Sequence, residues 1–402
     1  MAVPFSTVPP SGTVASHSGA RSIAAAENFT LLAVVVSSAM IVTGLVWDIS
    51  WHRTIGRDTF WSPPHLLEQG AAIISGFTCG YLVLRTSFAG TADDRARSVR
   101  FWKYFHGPLG AWVCIWGSLM MVASAPFDDW WHNAYGLDVK IISLPHVVLA
   151  AGMIAIQLGA MLMAVAAQNR SAKASLPRMG FVFTFSAALI ILMLQTVTME
   201  RSAFANQMHS SLFYITAAIG LPAALAAFGR ASRASWATTR IALVYMAIGI
   251  LFMWVLQLVP GSPKLAPIYR EVTHMVPPPF PHLLVFPALA IDWLLRRNHN
   301  GSDWKLALKL GVAFVVVMFA VHWPWAEFLL SPASRNFVFG GDIFDYTSRP
   351  GPWQYEFWQL DRSGNGWSPA LFAGRMLIAI AVATISSRLG LACGRGLSKV
   401  QR

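Results

Sequence analysis

The chain has 402 residues, of which 55% are hydrophobic and only 12% are charged, and its mean hydropathy is +0.51. This composition excludes an ordinary soluble domain and indicates a protein that is solvated by a lipid bilayer. The formal net charge of +12 does not indicate a nucleic-acid partner, because the chain lacks RNA-binding motifs and does not interleave basic with aromatic residues.

Residues 1–27 are rich in Pro, Ser, Ala and Gly. They lack the basic start, apolar core and cleavage site of a signal peptide, so we predict a disordered cytoplasmic tail. The transmembrane domain is then expected to comprise residues 28–402.

Apolar runs follow one another along the rest of the chain, and a helix of roughly 20 apolar residues is needed to cross a bilayer core. Ten runs approach this length, and the eighth of them is the shortest. They cover approximately residues 29–47, 65–86, 107–125, 146–168, 179–197, 210–229, 238–259, 282–297, 306–326 and 368–390. We therefore predict an all-α, polytopic transmembrane helical bundle of about ten helices.

Basic residues indicate the orientation of the bundle, since short loops rich in Lys and Arg stay in the cytoplasm. Every second loop is basic, beginning with Arg95, Arg97 and Arg100 after the second run. Both termini are therefore expected in the cytoplasm of a bacterial-type inner membrane. The loops rich in His and carboxylates are then extracytoplasmic, as is the long segment at about residues 327–367.

The first outer loop carries a candidate metal site. Asp48 and His52 are four residues apart and share one face of the first helix, while His65 begins the second helix. A hairpin brings these helix ends together, so that two imidazoles and one carboxylate can bind Cu, Zn or Fe(II). We expect Asp58 and Glu68 to be second-shell partners or additional ligands.

The second outer loop repeats this plan, since DxxWHxxxGxD followed by Pro-His occurs in both loops. The repeat predicts a duplicated helical hairpin, at about residues 29–86 and 107–168. The corresponding metal ligands are Asp128, His132 and His146, with Asp138 in the second shell. His146 is displaced by one residue, which rotates a helical position by about 100°. We therefore expect Asp128 and His132 to be neighbours, and a second site that is distorted or empty.

A third and weaker group consists of Glu271, His274 and His282, for which we retain the interpretation of interfacial residues satisfied by backbone or water. The three cysteines are scattered along the chain, at Cys79, Cys114 and Cys393. Their spacing predicts neither a disulfide framework nor a CxxC metal site.

The segment from Asp48 to Glu68 reads DxxWHxTxxRDTxxxPxHxxE. It resembles the metal-binding segment of the C subunit of copper membrane monooxygenases, the family that includes particulate methane monooxygenase and ammonia monooxygenase. The resemblance covers about twenty residues of the chain. It implies that Asp48, His52 and His65 ligate copper, although zinc and iron are not excluded, and that oxygenase partner subunits or a homo-oligomer complete the protein.

Three functions are compatible with these observations. The first is an oxygenase or oxygenase subunit that oxidises a small apolar or ammonia-like substrate with O2, and the second is copper delivery, storage or assembly without turnover. Cu(I) trafficking sites favour Cys and Met, whereas a His and carboxylate set suits Cu(II), which favours redox chemistry. The third is a proton-coupled transporter, in which Asp292 of the eighth helix would carry the proton.

Overall fold

The computed structural model describes residues 12–56, 58–136, 143–199, 205–265, 271–298, 302–344, 346 and 368–402. This part of the chain is almost entirely helical, which confirms the predicted all-α class. Its eleven α-helices are α1 (Gly12–Thr54), α2 (Pro63–Ala89), α3 (Ala92–Ala96), α4 (Leu109–Tyr135), α5 (Leu144–Arg170), α6 (Leu176–Met199), α7 (Ser211–Ala231), α8 (Ala237–Leu258), α9 (Val285–Arg297), α10 (Asp303–Leu330) and α11 (Pro369–Leu397).

Strand structure in the described residues is confined to one small hairpin between α3 and α4. Strand β1 (Val99–Phe101) pairs antiparallel with β2 (Phe105–Gly107). Trp102 and Lys103 in its turn both have positive φ angles, the backbone geometry that matches the twist of a tight hairpin. Single turns of 3-10 helix lie at Ala205–His209 and Pro332–Ser334.

Nine of the described helices are long and apolar enough to cross a membrane, judged by length and composition. They are α1, α2, α4 to α8, α10 and α11, which confirms a multi-pass helical membrane protein. The eighth predicted run, 282–297, is shorter in the structure, because α9 has only 13 residues, about 20 Å of helix. Four prolines precede this run, Pro277, Pro278, Pro279 and Pro281, and they prevent the helix from extending further towards the N-terminus, since proline lacks the N–H donor and disfavours helical backbone in the residue before it.

The N-terminal helix also differs from the prediction. Helix α1 begins at Gly12, so residues 12–27 of the expected disordered tail belong to a helix, and residues 1–11 lie outside the described part of the chain. The stretch Ile23 to Glu27 reads IAAAE, and alanine has the highest helix propensity of all residues. Composition alone therefore underestimated how far the helix extends towards the N-terminus.

The chain forms two compact units. Unit 1 comprises residues 1–37, 70–163 and 401–402, and unit 2 comprises residues 38–69 and 164–400. In unit 1, α4 and α5 approach each other closely at glycines. A Cβ atom added at Gly117 would lie 2.8 Å from the carbonyl oxygen of Gly152, so only glycine allows this packing.

In unit 2, α7 packs tightly against α11, where a Cβ atom on Gly390 would overlap the carbonyl oxygen of Ala223. Pro222 interrupts the hydrogen bonding of α7 at this level. The Ser386 hydroxyl of α11 compensates, because it accepts the N–H of Ala223 at 3.1 Å and donates to the carbonyl of Ile219 at 2.8 Å. Neighbouring helices commonly satisfy the backbone groups that a proline frees inside a membrane.

Two helix pairs, α1–α2 and α4–α5, coincide with the two halves of the predicted repeat. The glycine of the shared motif follows the first helix of each pair, and both glycines have positive φ angles, +103° at Gly56 and +84° at Gly136. The duplication itself stays a prediction. Of the predicted outer segment at 327–367, the first residues belong to α10, and residues 347–367 lie outside the described chain.

Candidate metal centre

Three consecutive elements of unit 2 carry the candidate site. The last turns of α1 present Asp48 and His52 on one face, the connecting loop carries Asp58, and the first turn of α2 carries His65. Pro63 starts α2, in a position where a missing N–H leaves no hydrogen bond unmade. The short loop therefore sets His65 opposite the end of α1.

The two imidazoles face the same two carboxylates. His65 Nε2 lies 2.8 Å from Asp58 Oδ2 and 3.3 Å from Asp48 Oδ1. His52 Nε2 lies 3.5 Å from Asp58 Oδ2 and 3.6 Å from Asp48 Oδ2. Ligand atoms of Asp48, Asp58 and His65 all lie within 4.8 Å of one another, and no other set of three His, Cys, Asp or Glu residues in the described chain does so.

These separations suit a single metal ion. Ligand bonds of about 2 Å place neighbouring ligand atoms about 3 to 4 Å apart. The four Nε2 to carboxylate distances fall in or just below this range, and the set of ligand atoms that lie within 4.8 Å of one another consists of Asp48, Asp58 and His65, without His52. The sequence predicted Asp48, His52 and His65 as ligands and Asp58 as their partner or an additional ligand, and the structure places Asp58 beside both imidazoles.

A loop carbonyl orients the ring of His65. Its Nδ1 lies 3.0 Å from the carbonyl oxygen of Thr59, so Nδ1–H donates there and Nε2 is directed at the carboxylates. Ser62 stabilises this loop, because its N–H donates to the same carbonyl and its hydroxyl accepts the N–H of Thr59, each at 2.9 Å. Metal-binding histidines are typically held by such a bond on the second ring nitrogen.

The cluster is partly shielded from solvent. The side chains of Asp48 and Asp58 are each 19% exposed, whereas that of His52 is 43% exposed. Burial raises the pKa of Asp58, but the hydrogen bond from His65 and the positive charges of His52 and His65 outweigh burial and hold that pKa below its usual value. Asp58 is therefore an anion at neutral pH, which is the form that attracts a cation.

A third carboxylate lies behind the cluster. Glu68 is only 3% exposed and sits one turn beyond His65 on α2. It packs against Gly44 of α1, one turn before Asp48, where an added Cβ would overlap Glu68 Cγ and lie 3.1 Å from Oε1. The absence of a side chain at Gly44 is therefore what admits Glu68.

A second segment of unit 2 braces the opposite face of α1. The Ser50 hydroxyl donates to the carbonyl of Val276 at 2.6 Å, and the N–H of Val276 donates to the Thr54 hydroxyl at 2.7 Å. At the start of the loop between α1 and α2, the N–H of Leu265 donates to the carbonyl of Ile55 at 2.9 Å. These bonds fix the helix end that carries Asp48 and His52.

The second predicted cluster is only partly assembled in the described residues of unit 1. Asp128 Oδ2 and His132 Nε2 are 3.3 Å apart, so these two residues are neighbours as expected. His146 instead contacts the Ser143 hydroxyl through Nδ1 at 2.8 Å, and the three residues do not gather into a ligand set. Asp138 lies outside the described chain.

The third predicted group is not brought together either. Glu271 is exposed, and His274 forms an isolated β-bridge with Pro260 and contacts the Thr273 hydroxyl. His282 is only 1% exposed, and its ring lies 5.5 Å from that of His322, a pairing that the sequence did not indicate. His322 lies on α10, far along the chain, and no local pattern links the two residues.

Asp292, the residue proposed above as a proton carrier, caps a helix. Its carboxylate accepts the N–H groups of Thr238 and Thr239 at 3.2 and 2.7 Å, and the Thr239 hydroxyl at 2.7 Å. These groups form the N-terminus of α8, whose positive dipole end stabilises an anion. The burial of Asp292 is thereby explained without proton transport.

The fold and the cluster define a multi-pass membrane protein with an Asp and His site that can hold a metal ion. The chain matches no protein-family model, no curated protein and no solved structure.

Proposed function

We propose that this protein is a copper protein of the membrane, in which Asp48, His52, Asp58 and His65 bind one copper ion. The observation that carries the proposal is the convergence of two imidazole Nε2 atoms on the same two carboxylates. The contact of His65 Nδ1 with the Thr59 carbonyl supports it, since the second ring nitrogen of a metal-binding histidine is typically held by such a bond.

The donor set favours copper over other common metals. Two imidazoles disfavour Mg²⁺ and Ca²⁺, which prefer oxygen ligands, and the absence of sulfur from the four side chains disfavours soft-metal storage at this place. Among divalent first-row metals, Cu²⁺ binds such nitrogen and oxygen sites most tightly. The resemblance of the Asp48 to Glu68 segment to a copper-binding segment supports the same choice.

We infer further that the copper site serves an oxygenase or an oxygenase subunit acting on a small apolar or ammonia-like substrate. A bound copper ion would supply redox chemistry with O2. The residues of the chain hold the ion, and Asp58 and Asp48 balance its charge. Copper delivery to another protein is the second candidate, favoured by the 43% exposure of the His52 side chain, which leaves the site accessible from outside.

Metal analysis of the purified full-length protein tests the copper assignment. Wild type should bind one Cu²⁺ at this site, with nitrogen hyperfine structure from two imidazoles in its electron paramagnetic resonance spectrum. The variant His52→Ala with His65→Ala should lose this equivalent, because two of four ligands are removed. His274→Ala is the matched control, since His274 lies outside the cluster.

Copper content that is unchanged in a folded double variant would contradict the assignment. To separate the two candidate functions, the copper-loaded protein is incubated with an apolar substrate, O2 and a reductant. Hydroxylated product supports the oxygenase, and its absence together with copper transfer to a soluble acceptor supports delivery.

A further inference from the structure

A small cavity lies inside unit 2, and none of the four candidate metal ligands lines it. Its walls come from α1, α6, α8 and the segment before α9. The volume of the cavity is about 50 Å³. A single water molecule needs about 10 to 15 Å³ of such space, so the cavity has room for a molecule of about three to five non-hydrogen atoms.

Most of the wall is apolar. Val46 of α1, Leu192 of α6 and Phe252 of α8 contribute hydrocarbon side chains. The segment before α9 contributes Pro278, Pro279 and Pro281. Proline has no backbone N–H, and the N–H groups in the interior of a helix are already bonded within the helix. This apolar part of the wall therefore supplies no hydrogen-bond donor to a group inside the cavity.

The proline segment that forms one wall is fixed at several points. A Cβ atom added at Gly249 would lie 3.0 Å from Pro281 Cβ, so α8 and the segment are in close contact there. The N–H of Phe280 donates to the Tyr346 hydroxyl at 3.1 Å, and the bonds of Val276 to α1 fix the start of the segment. Because proline also restricts the backbone, the cavity beside the segment is preformed, as small-molecule sites usually are.

One polar side chain in the wall lacks a partner. Gln195 on α6 is only 7% exposed, and its Oε1 has no hydrogen-bond partner among the described residues. The adjacent Thr196 hydroxyl also lines the cavity, but it donates its proton to the carbonyl of Leu192 at 2.8 Å. A buried amide oxygen without a donor is costly, and such a group usually indicates a ligand or an ordered water.

The charge of the wall restricts the ligand further. Arg53 lines the cavity, and its guanidinium lies over the ring of Phe344, 5.7 Å from the ring centroid. Arginine is always protonated, so it disfavours a cation such as an alkylammonium ion. A carboxylate has no proton to donate to Gln195 Oε1, and the apolar wall would leave its charge poorly solvated. A neutral ligand is therefore favoured.

We propose that this cavity is a binding site for a short-chain alcohol. The hydroxyl pairs with the Gln195 amide, and the hydrocarbon part contacts Val46, Leu192 and Phe252. A hydroxyl both donates and accepts, so it can pair with either end of the amide, whereas an alkane of the same size leaves the amide unpaired. The proposal does not rest on copper binding by the Asp and His cluster.

The test uses full-length protein in detergent, labelled with ¹³C at the methionine methyl groups. Met199 lines the cavity, and Met318 is a fully buried reference outside it. On titration with 1-propanol, we expect a saturable shift of the Met199 methyl resonance in the NMR spectrum and none of Met318. Gln195→Leu should weaken binding at least fivefold, because it removes the hydrogen-bond partner. Gln157→Leu, the same change at a buried position on α5, should leave binding unchanged.

Three results would each overturn the proposal. The first is a Met199 shift that is absent or appears only together with a Met318 shift, because the alcohol then merely enters the micelle. The second is equal 1-propanol affinity in folded Gln195→Leu. The third is wild-type binding of n-butane, propylammonium or acetate that is as tight as that of 1-propanol, and this comparison decides even if the variant does not fold.

Discussion

Replacing Gly44 with alanine tests whether α1 and α2 are packed around Glu68 as described. The added methyl group would overlap Glu68 Cγ, so the Glu68 side chain or one of the helices has to move. Overpacking of this kind costs about 1 to 3 kcal/mol. The higher helix propensity of alanine offsets up to about 1 kcal/mol of that cost.

A double-mutant cycle removes the propensity contribution. In wild type, Gly44→Ala should lower the free energy of unfolding, whereas in a Glu68→Ala background the same change should be neutral or stabilising. The expected coupling energy between the two positions is about 1 to 3 kcal/mol. Gly80→Ala is the matched control, because an added Cβ there meets no atom within 4 Å and should stabilise the helix.

Unfolding is measured by titrating sodium dodecyl sulfate into mixed micelles and following helix content by circular dichroism. A coupling energy near zero would show that Glu68 does not pack on Gly44. A destabilising Gly80→Ala of the same size would show that the effect is general to glycines in this bundle.

Three further predictions concern the cluster, the orientation and a helix cap. The folded-state pKa of Asp58 is lowered, so ionised Asp58 stabilises the metal-free protein above the usual aspartate pKa, and this stabilisation is lost as the pH falls through the lowered value. Asp58→Asn should therefore flatten the acid side of a profile of melting temperature against pH. In a Cys393→Ser background, Trp61→Cys should react with an impermeant maleimide from outside and Trp102→Cys only from the cytoplasm, and the reverse pattern would invert the predicted topology. Asp292→Ala should destabilise the protein by about 1 to 2 kcal/mol without changing its copper content, and lost copper would contradict the capping role.

Helical periodicity was sufficient to predict the part of the site that lies on helices. Asp48 and His52 are one turn apart, and their shared face follows from 3.6 residues per turn. The proximity of His65 followed from the short loop. Whether Asp58 is a ligand or a partner of a ligand could not be decided in the same way, because its direction depends on loop dihedral angles that no periodicity describes.

Contacts between segments that are far apart along the chain could not be predicted from the sequence. The rings of His282 and His322, which come from the segment before α9 and from α10, lie 5.5 Å apart. The length of α9 was overestimated for a different reason. The predicted run, 282–297, included the three residues that precede the helix, where the N–H of Leu283 donates to His322 Nε2.

The candidate ligands all fall between Asp48 and His65, which has a consequence for how the protein is made. Chains fold from the N-terminus during synthesis, so the complete ligand set leaves the ribosome with the first two helices. The brace at Val276 is translated more than two hundred residues after Ser50, its partner. The hairpin that carries the candidate ligands is thus available early in biogenesis, and the bonds between Val276 and α1 form only when the later half of the chain has been inserted.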